Sequence, residues 1–180
     1  MFGKIHLIVF FLFSAMCFGF TQAFAIEERM TFNYKNQKDT FWEKHLAGET
    51  LEVCRHKGTE QSRSGIYDAF FEPGIYYCRC CGGDYALFSS ETKFDSGTGW
   101  PSFFEPIKGA IEELPDPDDK LRGFFGLGRT EVLCSRCSSH LGHVFDDGPK
   151  PTGKRYCLNS AALVFVKKGE VPKRLYTVEE

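Results

Sequence analysis

The distribution of hydrophobic residues divides the chain into three parts. Nearly every position from Leu7 to Phe20 is apolar, whereas apolar residues between Asn33 and Val53 recur in part at helical spacing. Within that second part, Thr40 and Glu43 fit a capping box, which predicts the start of a short helix. From Ile66 onward, short apolar runs are interrupted by Gly and Pro, as is typical of strands.

These short runs predict a body of antiparallel β-strands. The predicted strands are Ile75 to Cys78, Tyr85 to Phe88, Gly109 to Leu114, Arg129 to Leu133 and Leu158 to Val166. The segment from Pro115 to Asp119 is polar and predicts a turn. Because no repeat or linker interrupts the pattern, we expect a single domain.

The first 25 residues have the pattern of a signal peptide. Lys4 supplies a positive charge before the apolar run, and Ala23-Phe24-Ala25 supplies a small-x-small cleavage pattern. The run is shorter than the ~20 residues that a membrane-spanning helix needs, so cleavage is favoured over an uncleaved anchor. We expect residues 26–180 to be exported, to a periplasm or out of the cell, without stable membrane insertion.

The charge of the chain argues against a nucleic-acid partner. The formal net charge is -2 and the sequence pI is about 6.2. Basic residues are scattered along the chain, so no basic surface is expected that would attract phosphates.

Four cysteines form two pairs that indicate a metal site. Cys78-x-x-Cys81 and Cys134-x-x-Cys137 are two knuckles, which together make a closed tetrahedral site of four thiolates. Export first favours disulfides, but seven cysteines remain once Cys17 leaves with the leader, so at least one is unpaired. The spacing predicts one structural Zn²⁺ that joins two distant hairpins.

Cys54, Cys80 and Cys157 remain when the four ligands are assigned. Cys157 precedes an apolar run and is expected at the start of a strand, where Arg155, Cys157 and Asn159 would share one face. A neighbouring guanidinium and amide favour the reactive thiolate. From the spacing alone, an inert buried cysteine is an equally good interpretation.

Two histidines and a tryptophan are further candidate site residues. His140 and His143 could exchange protons with a substrate, although such a pair alone is more often structural. A zinc-hydroxide site of the His/His/Cys kind is an alternative, but the H-x-E pattern of zinc deaminases is absent. Trp100, fixed by Pro101 after a Gly-rich loop, is expected in the core or in the wall of an apolar pocket.

Four separated motifs carry a resemblance to a known family. They are Cys78-x-x-Cys81-Gly82, Gly97-Thr98-Gly99-Trp100-Pro101-Ser102-Phe103, Cys134-x-x-Cys137 with His140-Leu141-Gly142-His143-Val144-Phe145, and Arg155-Tyr156-Cys157-x-Asn159-Ser160. Together they resemble the B-type methionine sulfoxide reductases, the peptide-methionine (R)-S-oxide reductases. The resemblance runs from about Asp39 to Phe165. It implies a mainly β fold of two antiparallel sheets with short N-terminal helices, stapled by the four-cysteine zinc site.

The resemblance also implies a role for each candidate residue. Cys157 would be the nucleophile, with a sulfenic acid as its product. His140, His143 and Asn159 would bind and protonate the sulfoxide. Trp100 would hold the substrate methyl group. The residues implied to support this network are Asp147 and Arg155.

A second thiol must clear the sulfenic acid in this family. Many members carry it between the two glycines before Trp-Pro, where this chain has Thr98. Other members use a cysteine nearer the N-terminus, which Cys54 matches, and Cys80 is an alternative. The resemblance implies that a thioredoxin-like partner then reduces a disulfide between Cys54 and Cys157.

The expected substrates are oxidised proteins or peptides, and we expect a monomer. Two other classes of protein fit some of the same residues. One is a secreted zinc-stapled binding module in which Cys157 is only buried. The other is a thiol peroxidase or disulfide oxidoreductase that uses Cys157 on a different acceptor. Neither alternative requires His140, His143, Asn159 and Trp100 together.

Overall fold

The computed structural model describes residues 32–116 and 128–177. By its contacts the chain divides into residues 1–33 and residues 34–180, and every element named below lies in the second unit. The predicted signal peptide and its cleavage position lie outside the described residues. Within the described part of the chain, no helix is long and apolar enough to cross a membrane.

Two short helices precede the strands, as predicted. They are α1 (Asp39–His45) and α2 (Gly48–His56). The predicted capping box is wrong, because the N-cap of α1 is Lys38, which makes no side-chain cap hydrogen bond, and Thr40 lies inside the helix. Helix α1 is held instead by Trp42, which is fully buried, with the guanidinium of Arg55 4.5 Å from its ring.

Within residues 32–116 and 128–177, nine strands form the two antiparallel sheets that the resemblance implied. They are β1 (Gly74–Cys78), β2 (Tyr85–Ser89), β3 (Lys93–Phe94), β4 (Ser102–Phe103), β5 (Ile111–Pro115), β6 (Thr130–Cys134), β7 (His140–Phe145), β8 (Arg155–Leu158) and β9 (Leu163–Lys167). One sheet has the order β2-β1-β9 and the other the order β3-β4-β8-β7-β6-β5. The mainly β fold is therefore confirmed. The described 3₁₀-helices are Tyr34–Asn36, Ser90–Thr92 and Ser160–Ala162.

The prediction differs from the structure at several places along the strands, and it did not include the two-residue strands β3 and β4. The apolar run from Leu158 to Val166 is not one strand, because a 3₁₀-helix separates β8 from β9 and the two strands belong to different sheets. The prediction also missed β7, a mostly buried strand. Its two histidines and its glycine interrupt the apolar pattern from which strands are predicted. A side chain at Gly142 would collide with the backbone carbonyl of Cys157, so glycine is required for β7 and β8 to pair.

Aromatic rings join the two sheets. Tyr76 of β1, Phe88 of β2 and Phe103 of β4 are all fully buried. The ring of Phe103 lies 5.0 Å from that of Tyr76 and 4.7 Å from that of Phe88. Each such pair contributes about 0.5–1.5 kcal/mol beyond the burial of area, so these rings hold the three-stranded sheet against β4 of the six-stranded sheet.

Candidate active site and metal cluster

The four knuckle cysteines come together as predicted. Their sulfur atoms all lie within 4.8 Å of one another, and all four residues are buried. The distance from Cys78 Sγ to Cys137 Sγ is 3.7 Å, as is that from Cys81 Sγ to Cys134 Sγ. A tetrahedral ion with bonds of about 2.3 Å to sulfur requires sulfur atoms about 3.8 Å apart, so the cluster fits such an ion.

The cluster joins the two sheets. Cys78 ends β1 of the three-stranded sheet, whereas Cys134 ends β6 of the six-stranded sheet. The knuckle after β6 leads directly into β7, which carries both candidate histidines. A metal held here would fix the position of β7 relative to the smaller sheet.

Cys157 lies in β8, where the strand alternates between half-buried and buried residues. Arg155 and Cys157 are half-buried, while Tyr156 and Leu158 are buried, so the predicted shared face of Arg155 and Cys157 is confirmed. Asn159 follows the strand and is only 3% exposed. Among the described cysteines, Cys157 is the one that is not buried.

The surroundings of Cys157 act on its thiol in opposite directions. Burial raises the pKa of Cys157 above its ordinary value and is the largest effect. A hydrogen bond with Thr98 and the charge of Arg155 lower this pKa but do not offset the burial. Arg155 thus stabilises the thiolate of Cys157 as predicted. Because burial outweighs this effect, the resting thiol favours its protonated form more than a free cysteine does.

A small open pocket reaches the sulfur of Cys157. Its volume is about 120 Å³. The residues that line it are Thr59, Trp100, Arg129, Gly142, His143, Phe145, Cys157, Leu158 and Asn159. The pocket thus brings together four predicted site residues from three separate motifs: Trp100, His143, and the pair Cys157 and Asn159.

His140 is not among the residues that line this pocket but lies next to His143, with 5.3 Å between the ring centres. Its Nδ1 is 2.7 Å from a carboxylate oxygen of Glu131, which is buried and also accepts a hydrogen bond from Lys57 Nζ at 2.8 Å. Burial lowers the pKa of His140, and Glu131 opposes that shift. The contact with Glu131 fixes the ring of His140. The other ring nitrogen, Nε2, is buried and has no hydrogen-bond partner.

His143 has a carboxylate partner of its own. Its Nε2 lies 2.9 Å from Asp116 Oδ2, and Arg129 Nη2 donates to the same oxygen at 3.2 Å. The side chain of Asp116 is 6% exposed, whereas that of His143 is 13% exposed. The two histidines thus contact two different acidic residues.

Glu60 holds Asn159 and Trp100 in place. The backbone N–H of Glu60 donates to Asn159 Oδ1 at 3.0 Å, and its carbonyl accepts from Trp100 Nε1 at 3.0 Å. Its buried carboxylate accepts from the backbone N–H groups of Ser160 and Ala161 at 2.8 and 2.9 Å. Glu60 therefore connects the indole of Trp100, the side-chain amide of Asn159 and the backbone of the segment that follows β8.

Arg155 and Asp147 form a bidentate pair. Arg155 Nε and Nη2 donate to the two carboxylate oxygens of Asp147, each at 2.8 Å. The same guanidinium lies 4.4 Å from the ring centre of Phe145, a pocket wall. This pair lowers the pKa of Asp147, and the side chain of Arg155 also forms a hydrogen bond with Cys157.

Cys54 lies at the metal cluster. It is buried in α2, and its thiol forms a hydrogen bond with Cys80 that, together with burial, raises its pKa well above the ordinary value. The groups that act on Cys157 are a different set, namely Thr98, Ser102 and Arg155. Cys54 therefore contacts the first knuckle, whereas Cys157 contacts the loop that carries Thr98.

Sequence reasoning missed three acidic residues of this site: Glu60, Asp116 and Glu131. Glu60 adjoins Thr59, which lines the pocket, and Asp116 stood in a segment that predicted only a turn. Glu131 could have been found from the sequence. A charged residue at an inward position of an apolar strand requires a buried partner, which here is His140.

An accessible thiol in a pocket with an imidazole and an amide is the arrangement of a thiol-dependent oxidoreductase. Comparison with known proteins narrows this class. The SelR domain profile matches residues 46–167. The chain is 52% identical over 132 residues to the peptide methionine sulfoxide reductase MsrB of Saccharophagus degradans, covering 73% of this chain and 92% of that protein.

Two further relatives carry the same name. The protein of Pseudomonas paraeruginosa is 51% identical over 128 residues, covering 71% of this chain and 91% of the relative. That of Leptospira interrogans is 47% identical over 138 residues, covering 76% of this chain and 99% of the relative. The chain therefore belongs to the SelR-domain family of MsrB peptide methionine sulfoxide reductases, a family of oxidoreductases, as its motifs predicted.

Proposed function

We propose that this protein reduces the R epimer of methionine sulfoxide in proteins or peptides, with Cys157 as its nucleophile. The observation that carries the proposal is the pocket, in which Cys157, Trp100, His143 and Asn159 meet around about 120 Å³. That volume suits the end of a methionine side chain rather than a large ligand. The names of the relatives support the same substrate class.

The chemistry transfers the sulfoxide oxygen to Cys157. The thiolate of Cys157 attacks the sulfoxide sulfur and forms a sulfur–sulfur bond. The protonated oxygen then moves to the sulfur of Cys157, and both the new sulfur–sulfur bond and the bond between the substrate sulfur and its oxygen break. Two electrons pass from the cysteine to the substrate, so methionine is released and Cys157 becomes a sulfenic acid. His143, on the pocket wall, supplies the proton that the oxygen needs as its negative charge develops.

The pocket walls orient the substrate. The indole of Trp100 is held by the carbonyl of Glu60 and provides an apolar surface for the substrate methyl group. Asn159 is fixed by the N–H of Glu60, and its own amide N–H donates to the carbonyl of Leu141 at 3.1 Å. A pocket with one apolar wall and one polar wall can distinguish two sulfoxide epimers, because they exchange the positions of oxygen and lone pair.

Recycling of the sulfenic acid requires a second thiol and an external reductant. By the family pattern, Cys54 is the proposed resolving residue, and a thioredoxin-like protein reopens the disulfide. Cys54 is buried beside Cys80, so this step includes a movement of α2 that brings Cys54 to Cys157. Cys80 is the alternative resolving residue.

The metal cluster has a structural part in this proposal. Cys78, Cys81, Cys134 and Cys137 would hold one Zn²⁺, since four thiolates in a closed tetrahedron are the ligand set of structural zinc. We further propose that residues 26–180 act as an exported monomer after removal of the leader. The apolar run and small-x-small pattern of the first 25 residues support export.

A direct test incubates residues 26–180 with dithiothreitol and a short peptide that contains racemic methionine sulfoxide. Chromatography then resolves the remaining epimers. The expected result is loss of the R epimer alone, abolished by Cys157→Ser. Peroxide turnover without epimer-selective reduction would support a thiol peroxidase, and full activity of a folded Cys157→Ser protein would refute the nucleophile.

A further inference from the structure

Asp116 is attached to the site from three directions. Its backbone N–H donates to the carbonyl of Arg129 at 2.9 Å. Its Oδ2 atom accepts from Arg129 Nη2 at 3.2 Å and lies 2.9 Å from His143 Nε2. The side chain is only 6% exposed, so a carboxylate at the end of β5 is fixed against a histidine of β7.

This contact determines which nitrogen of His143 carries the proton. A carboxylate accepts but does not donate, so Nε2 of His143 must carry a hydrogen toward Asp116. In the neutral ring the other nitrogen, Nδ1, is then an acceptor. The ring therefore has a defined tautomer and a defined orientation before any substrate binds.

His143 and Cys157 are directly opposite each other in the pairing of β7 with β8. Directly opposite residues of neighbouring strands project on the same face of a sheet, and both side chains line the pocket. The imidazole of His143 and the thiol of Cys157 therefore belong to the same pocket, next to each other across the two strands.

We infer that Asp116 is a positioning residue for this proton transfer, an inference that rests on the proposed function. As Cys157 attacks, its thiol proton moves to Nδ1 of His143, and the imidazolium formed is stabilised by the carboxylate of Asp116. The proton then passes from Nδ1 to the sulfoxide oxygen as the bond between sulfur and oxygen breaks. The protons and electrons balance without any further reactant, and Asp116 itself stays ionised.

The second acid–histidine pair differs from the first in its access to the pocket. Glu131 contacts His140, whose ring is 3% exposed and is not among the residues that line the pocket. Lys57 neutralises Glu131, much as Arg129 contacts Asp116. Both pairs orient a ring, but of the two histidines it is His143 that lines the pocket.

The test compares three variants of the full protein. Asp116→Asn removes the negative charge, and Asp116→Ala removes the acceptor. Glu112→Gln is the matched control. Glu112 lies in β5, the strand that leads to Asp116, and its exposed carboxylate pairs with Lys35 and contacts neither histidine. Each protein is assayed for kcat and KM on the sulfoxide peptide, and long-range ¹H–¹⁵N spectra of histidine-labelled protein report the tautomer.

We expect wild-type His143 to be the Nε2–H tautomer when neutral, with its signals assigned from a His143→Gln protein. Asp116→Ala should lose that preference, and Asp116→Asn should lower kcat on the order of tenfold or more with a smaller change in KM. Glu112→Gln should match wild type in both measurements. A fixed tautomer in Asp116→Ala, or a wild-type kcat in Asp116→Asn, would overturn the inference.

The two measurements separate this inference from the proposed function. If the wild-type protein turns over no sulfoxide, the proposed reaction fails while the tautomer still reports whether Asp116 orients His143. If Asp116→Ala does not fold, Asp116→Asn decides through kcat, because its side chain has nearly the same size and shape. A loss of kcat that the control shares would overturn the specific role of Asp116.

Discussion

The hydroxyl oxygen of Thr98 lies 3.9 Å from the sulfur of Cys157. The loop that carries Thr98 is held by a neighbouring segment, since Ser62 Oγ donates to the carbonyl of Thr98 and the N–H of Arg63 donates to the carbonyl of Gly99, both at 2.8 Å. A side chain at position 98 therefore reaches the reactive sulfur without movement of the loop.

This proximity predicts that Thr98→Cys installs a resolving thiol. After one turnover the new thiol should condense with the sulfenic acid of Cys157, and mass spectrometry of digested protein should find a disulfide between positions 98 and 157. In a Cys54→Ser background, the substitution should restore turnover supported by thioredoxin. Thr98→Ser is the matched control, and absence of the disulfide would contradict the geometry.

A second prediction concerns recycling in the native chain. Cys54→Ser should abolish turnover supported by thioredoxin and spare turnover with dithiothreitol, because a small dithiol can reach the sulfenic acid directly. Cys80→Ser tests the alternative resolving residue in the same assay. Unchanged thioredoxin kinetics in Cys54→Ser would refute its resolving role, and a selective loss in Cys80→Ser would assign that role to Cys80.

A third prediction concerns the pH dependence of thiol reactivity. Burial raises the pKa of Cys157 and Arg155 lowers it, so Arg155→Met should raise it further. The thiolate is the deprotonated form, so its alkylation by iodoacetamide increases as pH rises through the pKa. The profile of Arg155→Met should therefore move to higher pH, and the rate below the midpoint should fall about tenfold per pKa unit.

The control for this measurement is Lys154→Met. Lys154 is the preceding cation, and it pairs with the exposed Asp146. Its removal should leave the alkylation profile close to that of the wild type. Equal shifts in the two variants would mean that overall charge, rather than contact with Arg155, sets the reactivity of Cys157.

Glu60 gives a prediction about stability. Its buried carboxylate accepts two backbone hydrogen bonds, from Ser160 and Ala161, so Glu60→Gln should lower the free energy of unfolding by about 1–3 kcal/mol. Urea denaturation measures the change. The exposed Glu112→Gln should cost no more than about 0.5 kcal/mol, and an equally small effect at Glu60 would show that its hydrogen bonds are replaced.

Removal of the metal should unfold the protein rather than only inactivate it. Structural zinc contributes on the order of 10 kcal/mol in small zinc peptides, which is comparable with the whole stability of a typical domain. Circular dichroism during chelation should show loss of β structure together with release of one Zn²⁺ per chain. Cys134→Ser should behave like the chelated protein, and a metal-free chain with wild-type melting would contradict this.

Local patterns made part of the site predictable. Two cysteines three positions apart define a knuckle by themselves, so the ligands could be inferred before the sheets were known. The shared face of Arg155 and Cys157 followed from strand alternation. The match of four separated motifs to one family supplied the two-sheet fold.

The parts that could not be predicted depend on contacts between distant segments. The N–H of Glu60 bonds to Asn159, 99 residues away, and no local pattern reports such a pair. Asp116 and His143 are 27 residues apart and meet only because β5, β6 and β7 lie side by side. The position of Cys54 beside Cys80 likewise follows from the packing of α2 against the first knuckle.

The burial of the cysteines has a practical consequence. Seven thiols are described, and six are buried while Cys157 is half-exposed. Among the cysteines that the structure describes, Cys157 is therefore the one that a reagent in solution can reach. In residues 26–180 a fluorophore or spin probe that reacts with thiols would attach at Cys157, and a peptide or reductant that occupies the pocket would slow this labelling. Binding could therefore be followed from the labelling rate without a cysteine-depleted variant.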